Sequence, residues 1–260
     1  MAMGSAEADH AALAALLVGA ERAVALTGLA LGHPENADLT GSRSEWARRA
    51  NLGAFLTEPG GFWEYCYPVA CEMAERVPTA GHRALARLQE VGLVHALVTQ
   101  GVDRLHQRAG STDVVEVHGT LLTARCERCG ERYGLPEVGV LIAEASDGVP
   151  RCTTPECAYP LRPEGTLWEE PLPGPAIERA WELAGESDLF IVLDSELRTV
   201  PISLLPSVPL TRGVPLVLIG ESPTQYDRYA RLVLRGPSEP VLTALAGRLA
   251  PDGAGDLSAT

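Results

Sequence analysis

The sequence predicts an α/β protein with a doubly wound parallel sheet, a small metal-binding lobe and a helical insertion. Short apolar runs alternate with helical stretches along most of the chain, which is typical of parallel strands covered on both faces by helices. Two close pairs of cysteines interrupt this alternation within a segment rich in turn residues. Such pairs indicate a lobe that is held together by a metal ion.

The apolar runs define five candidate buried strands, because each is short and bounded by polar or turn residues. They lie at 23–26, 96–98, 189–193, 216–219 and 232–234. Helical patterns are predicted at 11–21, 81–91, 176–184 and 240–249. Since helices separate several of the strands, we expect crossover connections and a parallel sheet.

Two segments depart from this alternation. Residues 34–78 carry most of the aromatic side chains and are predicted to form a mostly helical insertion. Residues 119–173 contain four cysteines and show little periodicity, which favours a small lobe. The large domain is therefore predicted to comprise 11–118 and 174–250, and the polar tail 251–260 is expected to be disordered.

Composition narrows the range of functions. A chain of 260 residues with a net charge of −13 can bury a full core but lacks the basic surface that nucleic-acid binding requires. No apolar run reaches the ~18 residues that would span a membrane, and no signal peptide is recognisable, so we expect a cytoplasmic protein. An acidic surface suits lysine-bearing peptides or simply confers solubility. The sequence leaves the oligomeric state open.

The four cysteines have the spacing of a structural zinc site. Cys126 and Cys129 form one pair, and after 22 intervening residues Cys152 and Cys157 form the other. Two disulfides are the alternative, but they would require an oxidising compartment. Four sulfur ligands would complete the tetrahedron around Zn²⁺ and leave no position for water or substrate. The predicted zinc therefore stabilises the lobe and does not take part in chemistry.

Several longer motifs, in this order and spacing, resemble the sirtuin family of NAD-dependent protein-lysine deacylases. They are PTAGHRALARL at 78–88, VTQGVDRLHQRAG at 98–110, EVHGTL at 116–121, the cysteine pairs, LRPEGTLWEEPLP at 161–173 and SDLFIVLDSEL at 187–197. The resemblance extends from about residue 20 to 249. It implies a Rossmann-like large domain, a zinc lobe and a cleft between them.

The resemblance also implies roles for particular residues. His118 would be the general base, with Gln100 and Asp103 in support, although a single histidine can equally be a packed or surface residue. Trp168, Glu169 and Glu170 fall in the segment that pairs with an extended acyl-lysine peptide by strand addition. The positions that would line the NAD site are Gly28, Ala30, Thr40, Gly101, Ser195, Gly220 and Glu221.

Six residues around this implied NAD site depart from the family pattern. Ala30 replaces a glycine and would crowd a pyrophosphate, while Thr40 replaces an arginine that organises the cofactor loop. Gly101 and Gly220 replace asparagines, so two polar side chains are missing. Asp194 and Glu196 align with a Gly-Thr-Ser turn and would place two carboxylates near the phosphates.

These departures predict that NAD binding and NAD-dependent deacylation are weak or absent. The chain would then act as a pseudoenzyme that binds a peptide or a partner protein. One alternative is an active deacetylase with a rearranged cofactor loop. Another is a repurposed enzyme that acts on a non-NAD small molecule with His118 as base.

Overall fold

A computed structural model describes residues 2–29, 31 and 44–251 of the chain. The large domain contains a six-stranded parallel sheet. Its strands are β1 (Ala23–Thr27), β2 (Ala96–Thr99), β3 (Val114–Glu116), β7 (Leu189–Leu193), β8 (Leu216–Ile219) and β9 (Leu232–Leu234). The spatial order is β3-β2-β1-β7-β8-β9, which reverses direction at β1 as expected for a doubly wound fold.

The sheet is parallel because helices return the chain across both of its faces. The helices of the large domain are α1 (Ala2–Val18), α5 (Ala80–Glu90), α6 (Leu105–Arg108), α8 (Gly174–Glu186), α9 (Ser207–Thr211) and α10 (Ser238–Leu249), and two 3-10 turns lie at Ile202–Leu204 and Asp227–Tyr229. Alternate strand residues face opposite sides. Ala25, Ile191 and Val217 pack in one buried cluster with α1, α5 and α10. Leu26 and Phe190 belong to the cluster on the other face, with α8.

The helical insertion comprises α2 (Glu45–Arg49), α3 (Leu52–Thr57) and α4 (Pro59–Glu75). It shares a hydrophobic cluster with the cysteine lobe, in which Phe62 and Trp63 of α4 pack with Ala124 and Leu161. Trp63 also donates its indole N–H to the carbonyl of Leu161, at 3.1 Å. The insertion therefore supports the lobe through a common core.

The lobe is more regular than the sequence indicates. It contains a three-stranded antiparallel sheet of β4 (Thr123–Cys126), β5 (Arg132–Gly134) and β6 (Leu161–Pro163), with β4 in the centre. Helix α7 (Leu135–Glu144) follows β5, and the sequence pattern of 119–173 does not predict it. Its apolar residues Leu135 and Val138 are buried, while the rest of the helix is largely exposed, which weakens the sequence signal.

Two other expectations from the sequence need correction. Helix α1 ends at Val18 instead of continuing to residue 21, because Gly19 and the following turn residues end it before β1. Strand β3 was not among the predicted strands, since it is short and only Val115 is well buried. Within the described residues, no helix is both long and apolar enough to cross a bilayer. Part of the insertion, 34–43, and most of the tail, 252–260, lie outside the described residues.

Candidate functional site

The predicted cofactor and catalytic residues follow the carboxyl ends of the parallel strands. This edge of a doubly wound sheet is where ligands bind, at the point where the strand order reverses. The residues concerned are Gly28 after β1, Gln100 and Gly101 after β2, His118 after β3, Asp194 and Ser195 after β7, and Gly220 and Glu221 after β8. The fold thus brings together residues that lie almost 200 positions apart. Ala30 and Thr40 lie outside the described residues.

Gly28 lies where the turns that follow β1 and β7 contact each other. Its amide donates to the carbonyl oxygen of Leu193 at 2.7 Å. A Cβ atom on residue 28 would lie 1.8 Å from the carbonyl oxygen of Asp194, so a side chain cannot be accommodated without moving backbone. Glycine at this position is therefore required by the close approach of the two turns.

Gln100 and Ser195 are in direct contact. The Ser195 hydroxyl donates to Oε1 of Gln100 at 2.6 Å, and the amide of Gln100 donates to the carbonyl of Thr27 at 3.0 Å. The side-chain bond ties the loop after β2 to the loop after β7. The structure therefore unites one predicted catalytic residue with one predicted cofactor residue across β1.

Gly101 presents only backbone to the cleft. Its amide donates to Oγ1 of Thr99 at 3.0 Å. A Cβ at residue 101 would lie 3.1 Å from that oxygen and 3.5 Å from Oδ1 of Asp103. An asparagine would fit if its neighbours moved by a few tenths of an ångström, so steric exclusion does not account for its absence.

Asp103 is buried and has a local structural role. Its Oδ1 accepts a hydrogen bond from the amide of Leu105 at 3.2 Å, at the start of α6. The intervening Arg104 has a positive φ of 56°. The carboxylate thus stabilises the turn into α6, and its position near residue 101 is compatible with the supporting role that the sequence predicts.

His118 sits where the large domain joins the lobe. Its carbonyl accepts from the amide of Thr166 at 2.8 Å. The following Gly119 has a φ of 65°, and a Cβ there would lie 2.2 Å from the carbonyl oxygen of Glu164. The backbone around His118 is therefore fixed by close contact with the segment that leads to Trp168.

Burial lowers the pKa of His118 to about 4. The imidazole is therefore neutral near pH 7 and able to accept a proton. Thr120 holds the loop nearby, since its hydroxyl donates to the carbonyl of Val102 at 3.0 Å. Leu121 donates its amide to the same carbonyl. This arrangement connects the loops that carry His118 and Asp103.

The family resemblance predicts that Asp194 projects a free carboxylate into the cleft. In the structure its carboxylate instead has partners within the protein. It accepts from the amide and hydroxyl of Ser238, the first residue of α10, with the hydroxyl at 2.5 Å from Oδ2. Burial raises the pKa of Asp194, and Glu221 and Glu239 raise it further, against the effect of the Ser238 hydrogen bonds. Its backbone has a φ of 49°, a conformation that suits the glycine of the family pattern.

Glu196 also has protein partners. Its carboxylate accepts from the hydroxyl of Ser222 at 3.1 Å and pairs with Nε of Arg198 at 3.1 Å. The pair is exposed, so its contribution to stability is small. At Gly220 a Cβ would meet its nearest neighbour, Cα of Asp194, at 3.5 Å, which leaves space for a side chain. The missing asparagine is not explained by crowding.

The predicted peptide segment is linked to the insertion and the lobe. Trp168 donates its amide to the carbonyl of Ala50, and its own carbonyl accepts from the amide of Leu52, both at 3.1 Å. Glu169 is exposed and has a φ of 73°, again at a position where the family has glycine. Glu170 is turned inward and pairs with Arg162 at 2.7 Å. Thus only part of the backbone in this segment can pair with a peptide.

A buried hydrogen-bond network lies behind the cleft, and the sequence did not indicate it. Thr27 donates its hydroxyl to Oγ1 of Thr99 at 2.8 Å and lies 2.9 Å from Nε2 of His106. The His106 ring packs against His82, with centroids 4.7 Å apart. Burial, with a smaller contribution from His82, lowers the pKa of His106 to about 3. The network fixes the ends of β1 and β2 beneath Gly101.

The four predicted zinc ligands converge on one point. Their Sγ atoms all lie within 4.8 Å of one another, with Cys126 to Cys157 at 3.5 Å and Cys129 to Cys152 at 3.4 Å. A tetrahedron with Zn–S bonds of ~2.3 Å has edges of ~3.8 Å, so the cluster fits a zinc ion with four thiolate ligands. The Tyr133 hydroxyl donates to Sγ of Cys152 at 3.3 Å, which orients that ligand.

The fold and the cysteine cluster define a Rossmann-type protein with a zinc lobe. Comparison with known proteins identifies the family. A family model described as the Sir2 family matches residues 44–201. NAD-dependent protein deacetylase 1 of Pyrobaculum aerophilum is 34% identical over 91% of this chain and 93% of its own length. NAD-dependent protein deacetylase 1 of Geobacillus kaustophilus is 40% identical over 73% of this chain and 76% of its own.

Solved structures agree with these relatives. The complex described as Sir2-p53 peptide-NAD+ has a TM-score of 0.81 at 29% identity and covers 91% of this chain and 97% of its own. The structure described as Sir2 bound to acetylated peptide has a TM-score of 0.82 at 28% identity, with 91% and 97% coverage. The chain belongs to the Sir2, or sirtuin, family.

Proposed function

We propose that this sirtuin binds acyl-lysine peptides or a lysine-bearing partner protein, and that its NAD-dependent deacylation is weak or lost. The observation that carries the proposal is the turn after β7. There Asp194 replaces a glycine, and its carboxylate bonds to the start of α10. A diphosphate placed near this turn would lie close to this carboxylate, whose negative charge opposes binding even though the side chain is directed toward α10.

The residues present around the cleft do not fit NAD well. Gly101 offers no side chain to a ribose or an attacking group, and Gly220 offers none to a second ribose. Glu221 adds another charge close enough to raise the pKa of Asp194. Arg198 partly offsets the charge of Glu196, but the hydrogen bonds from Ser238 leave the charge of Asp194 in place, so the misfit persists.

Peptide binding is supported by the opposite side of the cleft. The lobe and the insertion hold Trp168 in a fixed backbone position, and Glu169 extends from it into solvent. Relatives of known structure are described as bound to acetylated or propionylated peptides. A carboxylate at residue 169 and an overall charge of −13 favour a basic peptide over an acidic one.

An active deacetylase is the second candidate, and specific contacts favour it. Gln100 and Ser195 meet at the strand ends where the family resemblance places the cofactor, and His118 is neutral near pH 7. The curated relatives at 34–40% identity are NAD-dependent deacetylases. A non-NAD substrate with His118 as base is a third hypothesis from the sequence, which no contact among the described residues favours.

Calorimetric titration with NAD separates the first two candidates. We expect NAD to produce no saturable binding heat up to millimolar concentration. Fluorescence anisotropy should show that an acetyl-lysine peptide binds. Micromolar NAD affinity, together with deacylation of the peptide that His118→Ala abolishes, would contradict the proposal and establish the deacetylase. Turnover of a small molecule without NAD, lost in the same variant, would instead establish the third hypothesis.

A further inference from the structure

Arg162 on β6 lies between two carboxylates. Its guanidinium makes two hydrogen bonds to Glu170, with Nη1–Oε1 at 2.8 Å and Nη2–Oε2 at 2.7 Å. Nη1 also donates to Oε1 of Glu127 at 3.0 Å. The side chains of Arg162 and Glu170 are only 12% and 11% exposed, so solvent screens this pair much less than the surface pairs.

The two carboxylates belong to different functional parts of the chain. Glu127 stands between the zinc ligands Cys126 and Cys129. Oε2 of Glu170 also accepts the amide of Leu167 at 2.9 Å, which closes the turn around Trp168. A continuous set of contacts therefore runs from the first cysteine pair, through Arg162, to the predicted peptide segment.

The pairing is specific to Arg162 among the arginines of this sheet. Arg125 on β4 stands opposite Arg132 on one side and Arg162 on the other. Like charges opposite one another destabilise a sheet, so each needs a carboxylate nearby. Arg132 uses Glu164 at 2.9 Å and is itself exposed. Among these three arginines, Arg162 is the one whose described contacts reach the 167–170 turn.

Arg162 keeps its positive charge. Burial alone would lower the pKa of Arg162, but hydrogen bonds and charge from Glu170 and Glu127 outweigh burial and raise it. A planar guanidinium that binds a carboxylate through two parallel hydrogen bonds also fixes its orientation, which a lysine could not do. The pair therefore restrains the direction of the Glu170 side chain as well as its distance.

We propose that Arg162 is a positioning residue, which locks the 167–170 turn to the first cysteine pair of the zinc lobe and thereby sets the backbone of Glu169 for peptide binding. The proposal rests on the function proposed above for this segment. It assigns the zinc lobe a part in substrate recognition, because displacement of the first cysteine pair would move the guanidinium that holds the turn.

Hydrogen exchange measured by mass spectrometry over residues 167–172 tests the lock without any ligand. Arg162→Met and Glu170→Gln are each expected to speed exchange of these amides by about tenfold or more, since breaking a buried pair leaves an unpaired charge. Binding of an acetyl-lysine peptide should weaken by about tenfold in the same variants. Zinc content, by elemental analysis, should stay at about one per chain.

Arg132→Met is the matched control, because it removes an arginine of the same sheet and leaves the 167–170 turn untouched. Unchanged exchange in both Arg162→Met and Glu170→Gln would overturn the proposal, and so would an equal effect of Arg132→Met. If Arg162→Met loses zinc, the near-isosteric Glu170→Gln decides alone. If the exchange changes as expected but the unmodified protein binds no peptide, the lock stands and the proposed function fails.

Discussion

The zinc lobe and the strand-end cleft differ in how closely they keep the family pattern. In the lobe all four cysteines are present and their sulfurs converge as a tetrahedral ion requires. In the cleft, contacts that hold the loops together remain, such as Ser195 to Gln100, while residues that would meet a cofactor have changed. One scaffold can therefore keep its architecture while the residues at its ligand site vary.

Removal of zinc should have the largest effect and would sharpen the contrast between the two regions. A structural zinc site contributes ~10 kcal/mol or more to the folding of small domains. We expect a chelator, or Cys152→Ser, to unfold the lobe and leave most of the six-stranded sheet intact. Circular dichroism and elemental analysis check this. Protein purified under reducing conditions without zinc, yet fully folded, would contradict it.

Reversion of the cleft should have the next largest effect. We expect the double variant Gly101→Asn, Asp194→Gly to raise NAD affinity by about a hundredfold, because it restores a polar side chain and removes a fixed negative charge. Calorimetry measures the gain. Glu169→Gly is the matched control, since it also exchanges an acid for glycine at a positive φ but lies in the peptide segment. An equal gain in this control would refute the electrostatic explanation.

The buried histidine behind the cleft predicts a pH effect on stability. His106 has its pKa lowered to about 3, whereas an unfolded histidine titrates near ~6.5. Its contribution is therefore complete above pH ~6.5 and is lost as pH falls, because the unfolded state takes up the proton first. Between pH ~6.5 and ~5 we expect His106 to account for a loss of about 2 kcal/mol in the free energy of unfolding, measured with urea, in addition to the loss that His118 causes in the same range.

A comparison of variants assigns this loss to His106. In His106→Asn the loss in the free energy of unfolding between pH ~6.5 and ~5 should be smaller by about 2 kcal/mol. The exposed His95 provides the control, and His95→Asn should leave the dependence unchanged. An identical pH dependence in His106→Asn and the parent protein would rule out this histidine as the source.

The smallest expected effect concerns the backbone at Glu169. Its φ of 73° is unfavourable for a residue with a Cβ, so Glu169→Gly should increase the free energy of unfolding by about 0.5–1 kcal/mol. Glu169→Ala removes the same carboxylate but keeps the Cβ. If urea unfolding shows the two variants to be equally stable, the backbone argument fails and the charge is responsible.

The sequence predicts the large features because they depend on patterns that are local and strong. The long apolar runs, such as 189–193, specify buried strands, and cysteine spacing specifies the metal cluster. The sequence pattern does not predict strand β3 and helix α7, because only one or two of their residues are well buried. Their positions depend on packing against neighbours that are distant in sequence.

The candidate site is only partly predictable for a similar reason. The family resemblance identifies Asp194 and Glu170 but not their contacts: Ser238 lies outside the motifs, and Arg162 lies in the same motif as Glu170 with nothing in the sequence to show that the two pair. Without those partners, both carboxylates look available to a ligand. The direction of a side chain depends on three-dimensional neighbours, so the sequence overestimated the bare charge in the cleft.

The left-handed backbone at Asp194 and Glu169 has an evolutionary consequence. Codons for aspartate and glutamate differ from those for glycine at a single base, so each position can acquire the glycine of the family pattern in one mutational step. Because the main chain already has the required shape, such a step would need no remodelling around it. These two positions are therefore convenient starting points for laboratory selection of tighter NAD binding.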